Sequence, residues 1–138
     1  MIWLLQTECL LQRVSMLLDV NDILGKPYKA HARGPDAFDC YGLVIEVEKR
    51  LGKEMPDLYE KLTNEEIHNA LITSKAEGYK KVKEAEFGDV VVLLEKGHIH
   101  HVGVCLKHGE FIHCDKQGVR ISRLNEFSNK KEVYRCQN

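Results

Sequence analysis

From Gly88 onward the chain is written in short runs rich in β-branched residues, and this constrains its fold more than any other feature of the 138 residues. The runs DVVVLLE, IHHVGVCL, EFIHC, GVRIS and EVYRC are separated by turn residues and read as strands. The half before them follows helical grammar. Residues 3–22 are expected to be helical, ending near Gly25 with Pro27 just beyond. Residues 26–38, KPYKAHARGPDAF, read as a loop. In DCYGLVIEVEKRLG, Asp39 is placed to cap a helix whose face carries Cys40, Leu43, Val44, Val47 and Leu51, with Lys49 and Arg50 in the last turn and Gly52 closing it. Thr63 and Glu66 form a capping box for a further helix at about 64–76. Helices first and strands after predict an α+β domain, a five- to six-stranded antiparallel sheet packed on the Cys40 helix. The whole chain, 1–138, reads as one domain, with 1–15 either an accessory helix or a start-site artefact upstream of Met16.

Composition removes several function classes. Twenty basic against 21 acidic side chains leave a net charge of −1, with no surplus to neutralise phosphates, so nucleic acid is not expected as a partner. The apolar N-terminus lacks a basic leader region and a small-residue cleavage site, and Glu8 and Arg13 interrupt it. No run reaches the ~18 apolar residues of a membrane span. The expectation is a protein made in the cytoplasm without a signal peptide. The five cysteines are an odd count with no CxxC pair, which points to free thiols rather than to a disulfide framework or a zinc ribbon.

Cys40 is the candidate nucleophile. A thiol attacks as thiolate, and the unpaired N–H groups of a helix start both favour that charge and can donate to an oxyanion. The expectation is therefore a Cys40 that ionises well below the ordinary thiol value of ~8.5. Gly42 keeps the first turn uncrowded. Position alone favours a small buried apolar residue, the commonest fate of a free cysteine, so the base decides.

Seven histidines are present: His31, His68, His98, His100, His101, His108 and His113. If Lys107 to Gly109 form a three-residue hairpin loop, Leu106 pairs with Glu110 and Gly103 with His113. His101 then lies diagonally across from His113 on the same face, within the ~7–8 Å at which two rings touch. His100, Val102, Val104 and Leu106 fall on the other face. In that register His101 accepts the Cys40 proton and His113 orients it. A two-residue turn would part the rings. Zinc, drawn from His98, His100, His101, Cys105, His113 and Cys114, fits no common ligand spacing and would need both faces; neither metal nor cofactor is expected. Cys105, the rival nucleophile, sits mid-strand away from any helix start and reads as core. His31 and Arg33 read equally as cleft-lining or solvated, and His68 as surface.

Together, Pro27-Tyr28, FDCYGLV from Phe38, GDVVVL from Gly88, HVGVCL from His101 and GEFIHC from Gly109 resemble the NlpC family of bacterial cell-wall cysteine peptidases, from about Asp19 to Leu124. The resemblance implies a papain-like α+β core and a Cys40, His101, His113 triad. It places Tyr28 beside the nucleophile as a hydrogen-bond donor, Asp39 toward the substrate's amino group, and Gly88 and Asp89 at the entry to the first strand. It implies hydrolysis of peptidoglycan stem peptides, such as D-glutamyl-diamino acid bonds. Tyr41 stands where cellular members carry serine, and KAHARG replaces the usual tryptophan and paired glycines; both changes fall in the expected substrate-binding region, which here would include Tyr28, Asp39 and Tyr41. DCYGLV followed by MPDLYE looks most like the branch found in phage and prophage tails, with tail proteins as partners and the virion tail or the cell wall as location. Two alternatives stay open: a non-catalytic tail-assembly component, and a thiol amidase or acyltransferase acting on another substrate.

Overall fold

The computed structural model describes residues 18–55, 57, 66, 78–107 and 109–136. The expected helix at 64–76 lies outside them apart from Glu66, and so does the expected helix at 3–22 up to residue 17. What is described of the latter is irregular chain and a turn. Asp19 takes the Asn21 N–H on its carboxylate at 2.9 Å, a local bond that starts a turn rather than continuing a helix. That turn ends at Gly25 with φ +84°, the left-handed residue expected there.

Helix α1 spans Cys40–Arg50. Asp39 caps it, its carboxylate accepting the Gly42 N–H at 2.6 Å, and Lys49 and Arg50 complement the dipole at the far end. Leu43, Val44 and Val47 are fully buried against the sheet, as their spacing predicts.

Six strands follow: β1 Tyr79–Val82, β2 Val90–Glu95, β3 His98–Cys105, β4 Glu110–Asp115, β5 Gly118–Arg123 and β6 Lys130–Cys136. They form one antiparallel sheet in the order β1-β6-β2-β3-β4-β5. The α+β reading holds, with a sixth strand, β1, at the edge. Its sequence, YKKV, sets two lysines at exposed positions and so shows no apolar run; its pairing with β6 makes it a strand.

The sheet has two packed faces. Against α1 lie Val90, Val92, Val102, Val104, Ile112 and Tyr134. On the other face a smaller cluster of Val91, Leu93, Cys105 and Phe111 is closed by Leu124 and Phe127. Cys105 is buried there, in the core role read for it.

Two local features of β3 prepare the site. The β3–β4 hairpin has the three-residue loop: Leu106 N–H donates to Glu110 O at 2.7 Å, Gly109 has φ +76°, and Gly103 pairs with His113. This pairing covers only Gly103 to Cys105, so β3 and β4 part before Val102. On its other edge, β3 pairs His101 with Leu93 but Ile99 with Leu94, leaving His100 as the extra residue of a bulge. A bulge bends a strand and re-aims its side chains.

Candidate active site

The loop before α1 folds back along its own end. Phe38 N–H donates to Pro27 O at 3.1 Å and Lys29 N–H to Phe38 O at 3.0 Å, which holds Tyr28 beside the helix start. The β4–β5 turn locks this loop from the other side. Val119 N–H donates to Lys26 O, and Gly25 N–H to Val119 O, both at 2.9 Å. At Gly118 the backbone approaches so closely that a Cβ would stand 2.7 Å from Lys26 O. A cleft of about 430 Å³ opens where β3 and β4 part; Tyr28, Cys40, His100, His101, Asp115 and Lys116 are among the residues that line it.

Cys40 is the first residue of α1, and the backbone of Val102, Tyr41 and Cys40 itself acts to favour its thiolate, against the larger effect of burial. Val102 follows His101, so the helix-borne thiol is seated on the strand that carries the imidazole. Across the hairpin, His101 Nε2 and His113 Nδ1 are 2.8 Å apart with the rings edge to face. The diagonal contact counted from the turn is therefore present, on one face. His113 Nε2 lies 2.8 Å from Ser122 Oγ. His113 is fully buried, stacked on Phe111 at 4.4 Å and edge-on to Phe127.

The electrostatics depart from the sequence expectation. Burial pushes the Cys40 thiol up to about 11, and the Asp39 carboxylate beside it acts in the same direction. The helix start does not reverse this because its cap is itself an anion. Burial equally holds His101 down at about 4, and His113 at about 4, with His101 and Arg120 adding to the effect. The resting groups are a neutral thiol and two neutral imidazoles.

The other candidate residues are placed as follows. Asp39 is 3% exposed. Besides Gly42 its carboxylate accepts the His31 N–H at 3.0 Å and Arg33 Nη1 at 2.8 Å. Arg33 also grips Asp57 through two bonds of 2.8 and 3.1 Å. A substrate amino group would reach Asp39 only by displacing Arg33. The Tyr41 ring is buried in the core with the Arg33 guanidinium 5.7 Å from its centroid, so its side chain serves packing. His31 contributes a backbone donor, with φ +66°. His100 was assigned to the face opposite His101; the bulge brings it to the same cleft, where its ring faces Glu95 at 3.0 Å. Among the described residues no three His, Cys, Asp or Glu side chains converge to hold a metal ion. Asp89 buries its carboxylate between Arg135 and the Glu86 N–H at the entry to β2. Sequence reasoning missed Ser122. The signal was available: a two-residue turn at Lys116-Gln117 pairs His113 with Arg120 and puts Ser122 on the diagonal.

An α+β domain in which a thiol at a helix start and a histidine from the sheet line one cleft, with a second, fully buried histidine bonded to the first, is a papain-like domain. The chain belongs to the NlpC/P60 family, which its residues 25–137 match. It is 31% identical over 102 residues to a probable endopeptidase p60 of Listeria grayi, covering 74% of this chain and 18% of that relative's length. Among solved structures it is similar to the NlpC/p60 domain of the peptidoglycan hydrolase SagA, with TM-score 0.59 and 22% identity over 87% of this chain and 94% of that one. NlpC1 of Trichomonas vaginalis gives TM-score 0.65 at 22% identity over 91% and 43%. The peptidoglycan hydrolase RipB of Mycobacterium tuberculosis gives 0.62 at 21% over 92% and 66%. These three likenesses are likenesses of fold.

Proposed function

We propose that this chain is a cysteine endopeptidase that cuts peptide bonds in peptidoglycan stem peptides, with Cys40 as nucleophile, His101 as general base and His113 orienting it. The observation that carries this reading is the 2.8 Å contact of the buried His113 ring with His101, which lines one cleft together with Cys40. With Nε2 engaged by His113, Nδ1 is the His101 nitrogen left for the thiol.

Cys40 Sγ attacks the scissile carbonyl as its proton passes to His101 Nδ1, forming the C–S bond and a tetrahedral oxyanion. The N–H groups at the start of α1, with the Tyr28 hydroxyl, are the donors that face it. Collapse expels the amine, which takes the proton from His101 and leaves a thioester. Water, deprotonated by the same imidazole, then releases the acid and restores the thiol.

Within this reading, the substrate is an acidic stem peptide of the D-glutamyl-diamino acid kind. Its carboxylate suits Lys116, a cleft-lining cation with no anionic partner among the described residues; Asp115 beside it is paired with Arg120. A setting in a phage or prophage tail, acting on the wall during entry, is the reading supported by the likeness of DCYGLV followed by MPDLYE to that branch. Among the described residues no helix is long and apolar enough to cross a membrane.

The test is digestion of purified peptidoglycan with product masses read for wild type, Cys40→Ala and Cys105→Ala. Wild type and Cys105→Ala release the same peptides and Cys40→Ala none. Products from Cys40→Ala, or a folded wild type that releases nothing, would refute the assignment.

A further inference from the structure

The hydrogen-bond string does not end at His113. Its Nε2 is 2.8 Å from Ser122 Oγ, and Ser122 Oγ also accepts from Arg120 Nη1 at 3.1 Å. Arg120 is anchored in turn by the Asp115 carboxylate, with contacts of 2.6 and 3.3 Å. Ser122 is 6% exposed and His113 fully buried, so water does not substitute for either partner. Proton counting then fixes the direction of the string. A neutral imidazole carries one N–H. For His101 to receive a proton at Nδ1, that nitrogen must be bare and the ring proton must sit on Nε2. His113 must accept it at Nδ1, so the His113 proton sits on Nε2 and needs an acceptor. A hydroxyl oxygen has two lone pairs, one for Arg120 and one for His113.

We propose that Ser122, held by Arg120, is the positioning residue that fixes the tautomers of both histidines and thereby keeps His101 Nδ1 free to act as a base. This rests on the Cys–His mechanism proposed above, but its central claim is about where two protons sit in the resting protein. Without the Ser122 acceptor, a His113 N–H is buried unpaired, which is costly. The ring escapes by moving its proton to Nδ1 and donating to His101. His101 must then carry its own proton on Nδ1, where it blocks the base. A wrong tautomer with intact geometry is known to cripple a triad.

The experiment combines nitrogen NMR of protein carrying ¹⁵N-histidine with kinetics. In the wild type both rings show protonated Nε2 and bare Nδ1. Ser122→Ala shifts His113 and His101 toward protonated Nδ1 and lowers kcat roughly 10- to 100-fold, the scale of losing an orienting partner, with KM unchanged. Ser122→Thr, which keeps the hydroxyl, restores both readouts. A wild-type His113 protonated on Nδ1, or a Ser122→Ala protein with unchanged tautomers and unchanged kcat, overturns the proposal. The assigned tautomers in a protein that hydrolyses no wall peptide would instead leave the string standing and sink the function.

Discussion

The resting state of Cys40 can be read by alkylation against pH, and the structure sets the expected numbers. Burial sets the thiol at about 11 and the imidazole at about 4. Moving the proton from sulfur to ring therefore spans about 7 pKa units, or about 9 kcal/mol, against the ion pair. A contact ion pair at ~4 Å recovers about 4 kcal/mol at the effective dielectric of partly buried sites. The neutral pair thus wins by about 5 kcal/mol. At pH 7 the thiolate fraction is then about 10⁻⁴, against about 3% for an ordinary thiol, and Cys40 should alkylate roughly 300-fold more slowly than a free cysteine. The assay is iodoacetamide labelling between pH 5 and pH 10.5, followed by mass spectrometry of the peptide containing Cys40. The expected rate climbs about tenfold per pH unit through neutrality with no plateau. A plateau between pH 5 and 8 would show a preformed thiolate–imidazolium pair and refute the reasoning. In the neutral case proton transfer accompanies attack, and the alignment of His101 governs the rate.

Two further outcomes follow from packing. In Gly103→Ala the new Cβ would meet Phe111 Cδ2 at 2.5 Å, Ile112 O at 2.7 Å and His113 Cβ at 3.1 Å; we expect about 1–3 kcal/mol of lost stability in urea melts and a fall in kcat as His113 is pushed off His101, and wild-type kcat would count against the close-approach account. Glu48 is fully buried, and its two carboxyl oxygens have no partner among the described residues; burial raises it from 4.5 to about 7, with the Asp89 charge acting in the same direction. The folded protein therefore binds a proton that the unfolded chain has already released, so stability present below pH 4.5 declines as pH rises to about 7, by on the order of 3 kcal/mol. Glu48→Gln should flatten that part of the Tm–pH curve, and an unchanged slope would show that Glu48 is not its source.

Much of the fold was legible because periodicity and turn chemistry are local. The α1 face, the five β-rich runs and the three-residue loop at Lys107–Gly109 follow from residue order, and the loop carried the His101–His113 contact with it, since register propagates two residues at a time. Strand β1 was not legible because its two lysines show no apolar period and only pairing with β6 makes YKKV a strand. His100 was misplaced because a bulge has no signature in simple alternation.

The chemistry divides along the same line. Residue order determined that a thiol begins a helix and that two imidazoles share a face of a hairpin. Only the tertiary structure decided their charge states, because desolvation depends on what surrounds a group: burial and, after it, Asp39 raise Cys40, while Phe111 and Phe127 wall in His113. It also decided that Arg33, six residues before Asp39, occupies the carboxylate beside the nucleophile together with the His31 N–H. Those contacts are made by loops and strands whose approach is set by three-dimensional packing, which no local pattern encodes.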